Sequence, residues 1–422
     1  MKKRIVVLVL SCICMLAAQA QEQLATPLLG SWSGKLNVGA ASLTVVLHLK
    51  QENGNVKVTL DSPDQGVTGI AVTKEFLSDD SLAVKEAVSG LSYHGRLKDG
   101  KIVGTFKQAG MSFPLTLSRS TSEIRRPQHP QPPYPYETEE VTFKNEADGA
   151  TLAGTLTYPV GYEKNARQKP AVVLMVTGSG QENRDEEVFY HKPFLVIADF
   201  LARHGIASLR YDDRATGASV GGEVSNATTL DFMRDAAAGL EFLRGLNTFG
   251  KVGVLGHSEG GTIAFMLGSR KKTDFIVSLA GPGVKGDTLL AAQVNRIMEL
   301  SGMPANMTVE KYRQQDELQQ IPWLKWFSDY DPTDDISHTR CPVLALNGAR
   351  DCQVISEQNL TAIRQLLPPS KKNLIKEYPE LNHLFQHCTT GLNTEYGNIE
   401  ETISPEVLDD IADWISRLMT KK

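Results

Sequence analysis

The 422-residue chain is poor in cysteine, with five, and has no excess of positive charge, its formal net charge being -5. It shows no internal repeat and no long apolar run beyond its N-terminus. Each scarcity excludes something. Without a basic stripe there is little to attract a phosphate backbone, so nucleic acid is not an expected partner. Without a second apolar span the mature chain is not expected to cross a membrane. Without a repeated period, propellers and solenoids are ruled out. No cysteine pair has metal-finger spacing, so no metal site is expected. Hydrophobic and charged contents of 41% and 22% are those of an ordinary globular protein.

What is present begins with a targeting segment over residues 1–20. Lys2, Lys3 and Arg4 precede an apolar stretch from Ile5 to Leu16, and Ala18-Gln19-Ala20 suits a signal peptidase. Export to a periplasmic space is the expectation. The alternative is a lipoprotein anchored through Cys12, which follows Val9-Leu10-Ser11. Residues 24–118 then read as an all-β unit. Short alternating runs such as Ala41 to Leu49, Val56 to Leu60 and Lys101 to Phe106 are parted by turn residues such as Lys98-Asp99-Gly100. About eight such strands predict an antiparallel barrel or sandwich. The Gly30-Ser31-Trp32 opening resembles a lipocalin-like start. Such a barrel either holds a small ligand or is filled by its own side chains, and filling is the simpler expectation. His48 and His94 read as ordinary strand residues. Residues 119–137 are a linker in which Pro127, Pro130, Pro132, Pro133 and Pro135 favour extended polyproline II, so a stiff spacer is predicted.

From residue 138 to 422 strands alternate with helices, the pattern of a doubly wound, mostly parallel α/β sheet. Val141 to Glu146 and Ala150 to Tyr158 predict an antiparallel hairpin at its start. A mainly helical insertion over residues 283–339 interrupts the alternation where a lid is expected. Within it Trp323, Trp326, Phe327 and Tyr330 fit either an acyl pocket or a helix face seated on the core. Trp323, Trp326 and Tyr330 are the substrate-pocket candidates.

The chemistry centres on Lys251-Val252-Gly253-Val254-Leu255-Gly256-His257-Ser258-Glu259-Gly260-Gly261. An apolar strand breaks into Gly-x-Ser-x-Gly and continues as a helix, the layout of a nucleophile elbow. The turn is so tight that small residues must flank the serine, and Gly256 and Gly260 meet that demand. A serine hydroxyl needs a base to take its proton, and the base needs an orienting acid. In this fold type the order is Ser, acid, His. Val343 to Asn347, an apolar strand, leads through Gly348 to Asp351, and Leu374 to Tyr378 leads to His383. Asp334 and Asp335 precede their strand and fit worse, and His387 is the alternative base. His257 sits beside the serine with its ring directed away from the hydroxyl. An oxyanion hole needs backbone amides. Glu259 supplies one, and the loop Thr177-Gly178-Ser179-Gly180-Gln181 supplies the other, from Ser179 or alternatively Gln181. That loop lacks the third glycine of a dinucleotide fingerprint. Arg184, Asp185, Arg210, Asp212, Asp213 and Arg214 read as charges that fix loops. If the signal is removed, Cys341, Cys352 and Cys388 remain, an odd number that suggests one bridge. Cys352 and Cys388 flank the acid and base candidates, so theirs is the pairing to expect in an exported protein.

Residues from about Glu139 onward resemble α/β-hydrolases of the bacterial serine esterase group, which includes relatives of dienelactone hydrolases and feruloyl esterases. The resemblance is carried by Thr177-Gly178-Ser179-Gly180, Arg184-Asp185-Glu186, Leu209-Arg210-Tyr211-Asp212-Asp213-Arg214 with Gly217 and Ser219, the Ser258 elbow, and Asn347-Gly348 with Asp351. It continues in Leu381-Asn382-His383-Leu384-Phe385-Gln386 and Ile399-Glu400-Glu401-Thr402-Ile403. Thr177-Gly178 departs from the commoner His-Gly form, which leaves the second oxyanion amide open, and the all-β unit lies outside the match. The resemblance implies cleavage of small carboxylic esters through an acyl-enzyme, without a cofactor. Two other readings compete. One is a serine peptidase of the oligopeptidase type, which usually carries a propeller gate. The other is a small-ligand-binding protein with an inactive hydrolase domain. Nothing in the sequence specifies an oligomeric state.

Overall fold

Turn chemistry and strand pleat shape the N-terminal unit. The computed structural model describes residues 27–420 apart from 39–40, 53–54, 63–64, 66, 88, 120–124, 165–166 and 316–319. The expected signal segment and Cys12 lie outside the described residues. The chain divides into two units, Met1–Thr121 and Ser122–Lys422. In the first, β1 (Gly30–Val38), β2 (Ala41–Glu52), β3 (Asn55–Ser62), β4 (Val67–Leu77), β5 (Ser81–Lys85), β6 (Ser92–Lys98), β7 (Lys101–Gln108) and β8 (Met111–Arg119) form a closed barrel. Between β6 and β7, Asp99 and Gly100 both take positive φ, as a two-residue hairpin turn with the right twist requires. Closure comes from β1 pairing with β8, Ser33 opposite Ser118. Arg119 strengthens the seam by lying 4.5 Å over the Trp32 ring while donating to Leu29 O.

Alternate residues of each strand point inward, so the barrel holds a continuous apolar core. Trp32, Leu47, Leu49, Leu60, Val84, Tyr93, Ile102, Phe106 and Leu117 belong to it. The interior is a packed core of side chains, as the simpler expectation had it.

The second unit is organised by one eight-stranded sheet. Its strands are β9 (Thr138–Asn145), β10 (Ala150–Thr157), β11 (Val172–Val176), β12 (Ala207–Tyr211), β13 (Val252–His257), β14 (Ile276–Leu279), β15 (Val343–Gly348) and β16 (Leu374–Tyr378). Their order across the sheet is β16-β15-β14-β13-β11-β12-β10-β9. The β9–β10 hairpin is antiparallel, β10 also runs antiparallel to β12, and pairings from β12 through β16 are parallel. Successive residues of β11 feed opposite faces, since strand side chains alternate. Val172, Leu174 and Val176 meet α2 (Thr229–Gly245) and α3 (Glu259–Ser269), while Val173 and Met175 meet α1 (Pro193–Arg203) and the C-terminal helix Pro405–Met419. Burial on both faces explains why β11, β13 and β15 begin as continuous apolar runs rather than alternating ones.

Between β14 and β15 the expected insertion is helical. Its helices are α4 (Gly286–Leu300), α5 (Val309–Arg313), α6 (Pro322–Asp329) and α7 (Thr333–His338).

The proline-rich stretch differs from the stiff spacer that the sequence predicts. Its described part lies against the second unit. The Arg126 guanidinium donates to the carbonyls of Phe189, Tyr190, Gly397 and Ile399. Gln128 bonds Ile403 through both its amide nitrogen and its oxygen, and Tyr136 donates to Asp199. Prolines supply an extended backbone but no donors, so these interleaved polar side chains turn the segment into a strap. The expected disulfide is also corrected: Cys341, Cys352 and Cys388 are free thiols. The Cys352 sulfur is directed to Gly391 O and the Cys388 sulfur to Glu380 O, so each thiol has a carbonyl partner of its own.

Candidate active site

At the end of β13 the chain turns so sharply that only bare backbone fits around the serine. A Cβ on Gly256 would lie 1.9 Å from Gly260 O, and one on Gly260 would lie 2.1 Å from Val176 O. Ser258 takes φ 53°, ψ -116°, in the positive-φ region that a side chain rarely adopts. Such a conformation persists only where the surrounding packing over-determines it. Ser258 Oγ makes no hydrogen bond among the described residues. The Glu259 amide begins α3, where first-turn N–H groups have no helical acceptor and the helix dipole is positive.

Beyond β14 along the sheet, β15 and β16 carry acid and imidazole. Asp351 follows β15 and is buried. Its Oδ1 accepts the amides of Gln353 and Val354 at 2.8 and 2.9 Å, which orients Oδ2 toward His383 Nδ1 at 2.7 Å. His383 follows β16 and is itself buried. His387, the alternative base, is exposed, and its ring bonds Glu401 at 2.8 Å instead. The three sequence candidates thus lie beyond the carboxyl ends of β13, β15 and β16, the side of such sheets where ligands bind.

On the other side of β13, the loop after β11 brings Gly178 so near that a Cβ there would sit 3.5 Å from Ser258 Cβ. The Gly178 amide is committed to Glu186 Oε1 at 2.9 Å, and the Glu182 amide to Asp213 Oδ2 at 2.9 Å. The Gln181 side chain turns toward Arg214 O. Charges pin this loop, as expected. Arg184 forms a two-bond fork with Asp212 at 3.1 and 2.8 Å, Arg210 pairs with Asp185, and Arg214 grips Asp235.

Several acids beside this loop are shifted upward by burial. Burial pushes the Asp213 carboxyl up to about 8, and the Glu182 amide and Thr177 hydroxyl only partly oppose it. Burial, with Glu186 and Asp213 nearby, raises Glu182 well above the carboxylate range. Glu259 is likewise raised by burial, against hydrogen bonding from its surroundings. Its Oε1 accepts Trp323 Nε1 at 2.8 Å, so the insertion is tied to the residue after the nucleophile.

The other two pocket candidates lie elsewhere. Trp326 and Tyr330 stack at 4.9 Å and line a cleft of about 420 Å³ with Thr228, Pro322, Lys325 and Asp329. None of Ser258, Asp351 and His383 lines it. Sequence reasoning missed the Glu259–Trp323 contact and the contacts of His257 with Glu186 and His383. No spacing rule joins residues 71 positions apart, as His257 and Glu186 are.

Strand order, elbow and acid–histidine pair together define the α/β-hydrolase fold. Comparisons with known proteins agree in class. A family model described as serine aminopeptidase, S33 (Hydrolase_4) matches residues 190–322. The chain is similar to the esterase EstD of Thermotoga maritima, with 28% identity over 337 residues, spanning 75% of this chain and 74% of the relative. Among solved structures it is similar to the Pyrococcus furiosus esterase Pf2001, with 18% identity and a TM-score of 0.47, over 71% of this chain and 100% of that one. Est1E of Butyrivibrio proteoclasticus matches with 16% identity and a TM-score of 0.44, over 67% of this chain and 99% of that one.

Proposed function

We propose that the chain is a serine hydrolase that cleaves carboxylic esters of small molecules through an acyl-enzyme. The observation that carries this reading is the strained Ser258 elbow facing the same sheet edge as the buried His383–Asp351 pair. Similarity to an esterase supports the ester as substrate class. Ser258 Oγ attacks the acyl carbon while His383 Nε2 takes its proton. Asp351 holds Nδ1–H and stabilises the imidazolium that forms. The developing oxyanion is met by the Glu259 amide and by that of Ser179, which directly follows Gly178 beside the nucleophile. His383 then returns the proton to the departing alcohol, and water releases the acid by the reverse route. Trp323, joined to Glu259, is the pocket candidate nearest this chemistry.

A fluorophosphonate probe tests the engine. It should label wild-type protein at Ser258 and fail on Ser258→Ala; a folded wild type that stays unlabelled rejects the reading. A second reading, peptide hydrolysis, is favoured by the match of residues 190–322 to the serine aminopeptidase family. Aminoacyl nitroanilides assayed beside nitrophenyl esters separate the two, since the same triad serves both bonds. A packed barrel interior gives the ligand-carrier reading no vessel. Export is part of the proposal, on the layout of residues 1–20. A mature protein beginning at Gln21 in the periplasmic fraction is the expected result, and an intact N-terminus rejects it.

A further inference from the structure

Glu186 and His257 are not needed to write the reaction above, yet both are buried beside it. Glu186 sits at φ 52°, a left-handed conformation that a glutamate seldom adopts without compensation. Its Oε1 accepts two hydrogen bonds, from the Gly178 amide at 2.9 Å and from His257 Nδ1 at 2.8 Å. The other ring nitrogen of His257, Nε2, lies 3.0 Å from the backbone carbonyl of His383. The two rings approach with centroids 4.7 Å apart.

Both partners of the His257 ring are acceptors. A carbonyl oxygen has no proton to give, and a carboxylate oxygen already receiving an amide N–H serves as an acceptor too. An N–H at each ring nitrogen satisfies both partners, so the arrangement suits an imidazolium. The groups facing it agree. Burial works against the charged ring, but Glu186, the His383 carbonyl and the more distant Asp351 outweigh it. Glu182, the acid nearest in sequence, is raised by burial and then by Glu186.

Gly178 belongs to the loop of the oxyanion amide, His257 immediately precedes the nucleophile, and His383 is the base. We propose that Glu186 and charged His257 form a positioning pair that fixes these three loops relative to one another. Neither residue touches the reacting atoms. The inference rests on the serine hydrolase reading and adds how its parts are kept in register. A displacement of about 1 Å in such parts can cost about a hundredfold in rate, because reacting groups must meet at near-attack distance.

The test uses full-length protein and three variants, Glu186→Ala, Glu186→Gln and His257→Gln, with a nitrophenyl ester and a fluorophosphonate probe. Glu186→Ala should lower kcat about a hundredfold with little change in KM. Glu186→Gln should recover most of that loss. The Gln oxygen, in the place of Oε1, can still accept from both Gly178 and His257 Nδ1–H, so the contacts are kept while the negative charge opposite the ring is lost. A merely structural pair would lower the melting temperature and leave kcat of the folded fraction unchanged, which overturns the proposal. Nitrogen-15 NMR of the imidazoles supplies a readout independent of turnover. In the wild type at neutral pH one ring, identified by its loss in His257→Gln, should show both nitrogens protonated and should lose one proton in Glu186→Gln. A neutral ring in the wild type rejects the charged pair even if Glu186→Ala does not fold. Absence of probe labelling on the folded wild type instead rejects the hydrolase reading and leaves the NMR result standing by itself.

Discussion

Each of the two units holds a histidine hydrogen-bonded to an aspartate, and the units differ in how the accompanying serine is held. On the barrel, Ser31 Oγ lies 2.8 Å from His48 Nδ1, and His48 Nε2 lies 2.6 Å from Asp61. In the second unit His383 meets Asp351 at 2.7 Å through Nδ1, with Ser258 on the adjoining elbow. Ser31 sits in regular pairing with His48 inside β1 and β2, and its polar contacts follow from cross-strand geometry. Ser258 occupies a backbone conformation that costs energy, caps the start of a helix, and has a glycine loop at its side. The barrel serine belongs to a regular cross-strand pairing, whereas Ser258 stands on a strained turn between a glycine loop and the start of a helix. Short distances within such a set do not by themselves separate the two; the backbone around the serine does.

The sharpest break of that comparison is by substitution of the two serines. Ser258→Ala should lower nitrophenyl ester turnover by about a thousandfold or more, the scale of losing a triad nucleophile. Ser31→Ala should leave it within about twofold. Equal losses would abolish the distinction.

A second break targets the strained turn. Gly260→Ala forces a Cβ against Val176 O, so the elbow must open. We expect a loss of about 3 kcal/mol in stability, in the range of backbone clashes in a core, together with a fall in kcat. Thermal denaturation and rate measurements check both.

The third concerns charge. The Asp213 carboxyl titrates at about 8 in the fold and at its ordinary 3.8 when unfolded. Between those values the folded state holds a proton that the unfolded state has released. Its contribution is therefore fully present below pH 3.8 and is lost as pH rises toward 8, by at most about 1.4 kcal/mol per pH unit. The melting temperature of the second unit should fall from pH 5 to 8, and Asp213→Asn should flatten the slope. An unchanged slope would show that another group governs it.

The smallest effect belongs to the barrel. His48→Ala leaves the buried Asp61 without one partner and should cost about 1–3 kcal/mol, with ester turnover unchanged. A lost turnover would give the barrel set a role beyond structure.

Much of the site was legible because its parts obey local rules. Gly256 and Gly260 flank the serine for a steric reason that the spelling itself carries. Asp351 and His383 stand at strand ends, where apolar runs break into turns. The sheet's two-sided burial likewise shows as continuous apolar strands. Less legible were relations made by backbone atoms. Arg126 chooses carbonyls, and carbonyls carry no residue identity, so the strap looked like a spacer. Glu186 meets His257 only because the loop after β11 bends through a left-handed residue, which no periodicity announces. The barrel or sandwich ambiguity had a similar origin, since closure depends on a short pairing between β1 and β8.

That strap has a practical corollary for anyone dissecting the molecule. Arg126 alone binds the segments at 189–190 and 397–399, holding together stretches more than two hundred positions apart. A proteolytic nick or gene truncation placed after Pro135, where the proline tract ends, would unclasp them. A cut before Arg126 would keep the buckle with the piece that wears it.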